Sequence, residues 1–221
     1  MSLTAQENKW SFGMNLFPNY SIGFLVTNSN VNPTSSFAPI VSSIGRYETG
    51  KISFAGNTFV EYAITEKLKI SAGVGYLNNG VQSSFDNLIF GIPTGSDFPE
   101  SIVIYHNHHN IEIPVLFKLY FGKKFYGQAG LSATLNLSNK TTTAYTYGSG
   151  TSEKTTVNDN STPYRKTNLY ANLGFGFDYL VKEKFALYIQ PCTQYGFLGI
   201  AENVPLNRIM FSFGLSTGIR I

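Results

Sequence analysis

Cysteine is nearly absent: Cys192 stands alone in 221 residues. A lone thiol excludes an intramolecular disulfide framework and any paired-cysteine metal knuckle. Charge is also sparse, at 13% of residues, with 16 Lys and Arg against 13 Asp and Glu and a formal net charge of +3. The lysines form no basic block, so no nucleic-acid partner is expected. No apolar run approaches the roughly 18 residues that a transmembrane helix needs, which excludes a helical membrane span. What the chain has instead is 15% aromatic residues, with 18 Phe and 14 Tyr, beside 21 Gly. That mixture disfavours disorder, coiled coils and helical bundles.

Residues 1–8 contain small residues followed by Gln6, like the tail of an export signal, but no charged leader or full apolar segment. They are expected to be a residual signal or tail, with a single domain over 9–221. Within that domain the dominant feature is period two. From Ile111 to Phe121 one parity reads Ile111, Ile113, Val115, Phe117, Leu119, Phe121, and the other Glu112, Pro114, Leu116, Lys118, Tyr120. Such alternation is the mark of a strand with two unlike faces. It resumes beyond Gly122-Lys123-Lys124 with Phe125, Ala129, Leu131, Ala133, Leu135 and Leu137, which makes a hairpin.

Two further hairpins surround Thr65-Glu66-Lys67 and Lys182-Glu183-Lys184, and single runs cover Trp10–Leu16 and Arg208–Ile221. These runs predict eight strands. The remaining connections are long, near residues 27–49, 79–107 and 139–166, with a shorter one near 199–206. Tight turns at one end and long loops at the other match an antiparallel up-and-down transmembrane β-barrel, all-β, with periplasmic turns and extracellular loops. The stretch 139–163, rich in Thr, Ser, Asn and Gly, is expected to be loop.

The composition of the two faces decides between a soluble barrel and a membrane barrel. The apolar parity of the eight runs carries no charged residue, whereas the other carries Glu61, Lys69, Glu112, Lys118, Asp178, Arg208 and Arg220, with many amides, Ser and Gly. The charged face suits an ion-paired lumen, and a lysine turned to lipid at midplane would cost about 2–4 kcal/mol. A soluble calycin-like barrel would have to fit the whole apolar face inside. Tyr62, Tyr120, Phe121, Phe125, Tyr126, Tyr179 and Phe185 lie near the short turns, where an interfacial girdle is expected.

The stretches Gly56–Gly80 and Asn110–Gly130, with Gly75-Tyr76 and Ile111-Glu112-Ile113-Pro114, resemble the small outer-membrane β-barrel family of Bacteroidota, PorT-like or "porin family". The resemblance implies an eight-stranded barrel in the bacterial outer membrane of a Gram-negative cell, usually without a known reaction, and an association of the PorT branch with protein secretion. Many such barrels end in an aromatic residue, whereas this chain ends in Arg220-Ile221.

Other site patterns are thinner. His106 and His108 share strand parity, so a two-histidine metal site is geometrically possible, but no third ligand stands at a convincing spacing, and the neutral alternative is a polar loop-to-strand junction. The glycine-rich GVGY (73–76) and GFGFDY (174–179) lie inside alternating strands with no following helix, so phosphate binding is not expected. Cys192 shares parity with Gln190 and Gln194 and is expected to be an inward filler. The sequence thus predicts a non-enzymatic envelope component without a cofactor. Its expected partners are outer-membrane lipid, lipopolysaccharide and another envelope protein, and a narrow channel or a lipid-modifying enzyme are the alternatives.

Overall fold

The structure is a computed structural model, and it describes residues 9–27, 47–86, 99–182, 185–204 and 206–221. The predicted tail (1–8), the middle of the first two long loops (28–46 and 87–98) and Glu183-Lys184 of the third hairpin turn lie outside the described residues.

Among the described residues nine strands follow one another: β1 (Trp10–Thr27), β2 (Glu48–Ala63), β3 (Leu68–Asp86), β4 (Pro99–Phe121), β5 (Phe125–Tyr147), β6 (Ser152–Asn158), β7 (Thr167–Val181), β8 (Ala186–Gly196) and β9 (Leu206–Arg220). Eight of them close a ring. The sheet runs β4-β3-β2-β1-β9-β8-β7-β5, and β4 pairs with β5 to seal it, every pair being antiparallel. Full closure leaves the ring without an open edge, which is the condition for β-structure to cross hydrocarbon.

The ninth strand corrects the expectation for residues 139–163. β5 continues to Tyr147 and turns back as β6, which among the described residues pairs only with β5, from Lys140↔Asn158 to Thr146↔Ser152. Thr-rich sequence supports this hairpin because β-branched residues favour extended backbone, and a blade standing in water needs ladder hydrogen bonds rather than a core. Likewise β1 runs on past Leu16 to Thr27, and β3 and β4 pair as far as Asp86↔Ser101 within the predicted second loop. The strands outrun the membrane, whose crossing needs only about 9–11 tilted residues.

The wall faces as its parity demands. Phe12, Met14, Leu16, Ile113, Val115, Phe117, Leu131, Leu173 and Leu215 lie on the outer surface, all exposed, while Glu61, Glu112, Lys118, Asp178 and Gln190 are buried inside. An inside richer in charge than the outside is stable only where the outer solvent is lipid.

Candidate functional site

The lumen is built in storeys, starting at the end with the short turns. There Glu61 of β2 receives Lys118 of β4 at 2.7 Å, and Lys69 of β3 and Arg220 of β9 at 3.2 Å each. Arg220 also donates to Asp178 Oδ2 of β7 at 2.7 Å and to the Tyr120 hydroxyl at 2.6 Å, and that hydroxyl donates to the same Asp178 oxygen at 3.2 Å. Five of the seven charged residues picked out from sequence therefore meet in one cluster that ties β2, β3, β4, β7 and β9 across the barrel axis. Lys118 is further enclosed by the rings of Phe59, Tyr126 and Tyr188 at 4.9, 5.4 and 5.4 Å. Carboxylates accepting several donors and an ammonium over aromatic faces are the conditions under which buried charge is tolerated.

The other two charged residues stand elsewhere. Glu112 meets an amide, the Gln194 Nε2 at 2.8 Å, and among the described residues it pairs with no lysine or arginine. Arg208 is near the loop end, where it holds Glu48 through three hydrogen bonds of 2.7–2.9 Å. Glu48 escaped the sequence reading because it lies at the border of a predicted loop, outside the alternating run that begins at Ile52.

Two of the expected girdle residues face inward instead. Tyr120 shares its parity with Lys118, and Tyr126 with Gln128; both are buried, Tyr126 completely. Phe121, Phe125 and Tyr179 do face outward, as does Trp10, whose ring packs tilted against Tyr62 with centroids 4.7 Å apart. The inward rings explain the glycine-rich strands. A Cβ on Gly176 would run into the Tyr126 ring, and one on Gly218 would lie 2.6 Å from the Tyr188 hydroxyl. Glycine there makes room for a ring across the wall, so GFGFDY is a packing feature.

Above the ionic cluster, Phe17, Ala55 and Leu77 form an apolar plug, with Cys192 packed against it. The two family-like motifs meet here: Gly75 pairs with Glu112, and Tyr76 with Ile111, in the β3–β4 register. Higher still, Val81, Tyr170 and Met210 pack with Ile200, which enters from the β8–β9 connection. That connection is zipped to the segment between β6 and β7 through Tyr164↔Ala201, the Arg165 amide to the Ile200 carbonyl at 2.8 Å, and an Arg165–Glu202 ion pair at 3.3 Å. Together the two connections cap the outer mouth.

Under the cap is a cavity of about 130 Å³ lined by His106, His108, Asp159, Tyr164 and Arg208, among others. His106 and His108 do share a face, as their parity requires. Asp159 accepts the Tyr164 hydroxyl at 2.7 Å and the Ser161 hydroxyl at 2.9 Å. Partial desolvation raises the Asp159 pKa, but these hydroxyls and the Ser161 and Thr162 amides outweigh it, and the carboxyl ends below its ordinary range. Burial, with the hydrogen bond to Asp159, pushes the Tyr164 phenol up to about 12.

A family model described as outer membrane protein beta-barrel domain matches residues 4–193. The chain belongs to that family. As a member it is a protein of the bacterial outer membrane, in agreement with its closed ring and its apolar outer wall. No curated protein sequence matches it. Among solved structures, Neisserial surface protein A (NspA) aligns at 11% identity over 97% of both chains, with a TM-score of 0.45. Ail of Yersinia pestis, in complex with the heparin analogue sucrose octasulfate, aligns at 11% over 97% of this chain and 100% of that one, with a TM-score of 0.43. The outer membrane protease OmpT from Escherichia coli aligns at 7% over 99% and 98%, with a TM-score of 0.38.

Proposed function

We propose that this barrel is a non-enzymatic, non-conducting anchor that presents its extracellular β4–β5–β6 blade to another envelope protein. The observation that carries the reading is the filled lumen. An eight-stranded ring is just wide enough for side chains to fill, and here the ionic cluster, the Phe17–Leu77 plug and the Ile200 cap obstruct it in succession. What remains for interaction is the surface, and every residue of β6 is exposed.

The histidine contacts also support a role without catalysis. The Nδ1 atoms of His106 and His108 meet Thr141 at 3.3 Å and Asn139 at 2.8 Å, while His109 meets Tyr76 and Asn78. None of these is the orienting carboxylate of a hydrolytic triad. Within the family, the paired Gly75-Tyr76 and Ile111–Pro114 motifs support a place among the PorT-like barrels of Bacteroidota, and lipopolysaccharide and phospholipid cover the apolar wall.

Mild-detergent co-purification from native outer membranes tests the role. A stoichiometric protein partner is expected with the wild type, and is lost when residues 143–155 are replaced by a two-residue turn. A barrel that purifies alone in both forms contradicts it.

A further inference from the structure

The chain's three histidines fall in one strand, and the hydrogen bonds around one of them fix its tautomer. Asn136 and Asn139 exchange reciprocal bonds: Asn139 Nδ2 donates to Asn136 Oδ1 at 2.8 Å, and Asn136 Nδ2 donates to Asn139 Oδ1 at 3.1 Å. Asn110 fixes the sense of this pair: its Nδ2 donates to the Leu77 and His108 backbone carbonyls at 3.3 and 3.2 Å, so its Oδ1 accepts from Asn136 Nδ2 at 3.1 Å, and the carbonyl end of Asn139 is the end that lies 2.8 Å from His108 Nδ1. Only an Nδ1–H can bond there, so the lone pair of His108 is on Nε2. Among the described residues that atom has no hydrogen-bond partner; it is buried, and His108 as a whole is 4% exposed.

The bare nitrogen belongs to a residue that lines the 130 Å³ cavity under the cap, and His106 lines the same cavity. Two residues apart on one strand, they stand about 6.6 Å from each other along the chain, a separation at which two imidazoles can converge on one ion. Asp159 adds charge. Its hydrogen-bond partners are neutral hydroxyls and amides, and among the described residues it pairs with no lysine or arginine. Glu48, by contrast, is neutralised by Arg208. The cavity thus combines two imidazoles with a carboxylate that lacks a counter-charge.

We propose that this cavity is a binding site for a borderline divalent cation such as zinc, held by His106 and His108, with Asp159 as the compensating charge. Among the described residues no three His, Cys, Asp or Glu side chains already stand as a metal-binding group, so water completes the coordination. The Asn139 carbonyl plays the part that outer contacts play at metal-bound histidines, fixing the ring so that Nε2 faces the ion. The Asp159 amide donates to the Asn139 backbone carbonyl at 2.9 Å, so an ion in this place ties β4 to the segment that closes the mouth.

Calorimetric titration of the full chain in detergent with zinc, any affinity tag removed, tests the site. One zinc per chain is expected, with affinity reduced about tenfold or more in His106→Ala and in His108→Ala. His109→Ala serves as the control and leaves affinity unchanged, because His109 contacts Tyr76 and Asn78 instead. Asn139→Asp, which keeps an acceptor and adds charge, is expected to tighten binding, and Asn139→Leu to weaken it. Heat-modifiable migration verifies the fold of each variant; should His108→Ala fail to fold, His106→Ala and the Asn139 pair decide. Absence of stoichiometric zinc binding, or binding at full strength in both His106→Ala and the Asn139→Leu variant, overturns the proposal.

Discussion

Lys118 and Arg220 are the residues on which the lower lumen depends. Removing Lys118 leaves Glu61 buried with two cations that each reach it at 3.2 Å, while removing Arg220 takes one of three cations from Glu61 and, among the described residues, the one cation that pairs with Asp178. Breaking a buried pair from one side typically costs about 3–5 kcal/mol. Lys118→Ala is therefore expected to lower the denaturant midpoint of the heat-modifiable form, and Arg220→Ala to lower it further. Equal midpoints for wild type and Arg220→Ala would show that the cluster contributes no stability. Asp159 gives a prediction in pH. Its carboxyl is depressed in the folded state, so its contribution to the cap is fully present above the ordinary aspartate pKa of about 3.9 and is lost as pH falls through the lower folded value. The amide resonances of Ser161 and Thr162 should shift in that acid window, and should not in Asp159→Asn.

At the scale of the element, spacing across the wall is as demanding as charge. Gly176 of β7 lies against the Tyr126 ring of β5, so Gly176→Val is expected to reduce the yield of folded barrel sharply. Gly150→Ala, in the exposed tip between β5 and β6, should leave yield unchanged even though its φ of +81° disfavours a side chain, because the tip supports nothing below it. Replacing residues 143–155 by a tight turn should likewise preserve heat-modifiable migration, since among the described residues β6 pairs only with β5 above the ring. The eight ring strands were legible in the sequence because each has one greasy and one polar parity. The blade was not, because its Thr-rich faces are both wet and its alternation carries no polarity contrast. Tyr120 and Tyr126 lie near a short turn, where a girdle is expected, but they share parity with Lys118 and Gln128 and turn inward with them.

At the scale of the whole molecule, the same parity that assigns the outer wall to lipid fills the interior. Sequence identified which charges face inward but not which ones meet, since pairing across the lumen depends on register and shear rather than on spacing along a strand. Glu61 reaches Arg220 over 159 positions of sequence, whereas Arg208 turns out to serve Glu48 in another storey. The cap was illegible for a similar reason: Tyr164 and Ala201 join two connections without strand patterns of their own. The most direct test of a filled, capped barrel is planar-bilayer recording of the purified protein. No stable unitary currents are predicted for the wild type. Reproducible open levels in the wild type that change in Lys118→Ala would mean that ions pass the ionic cluster, and would contradict the account.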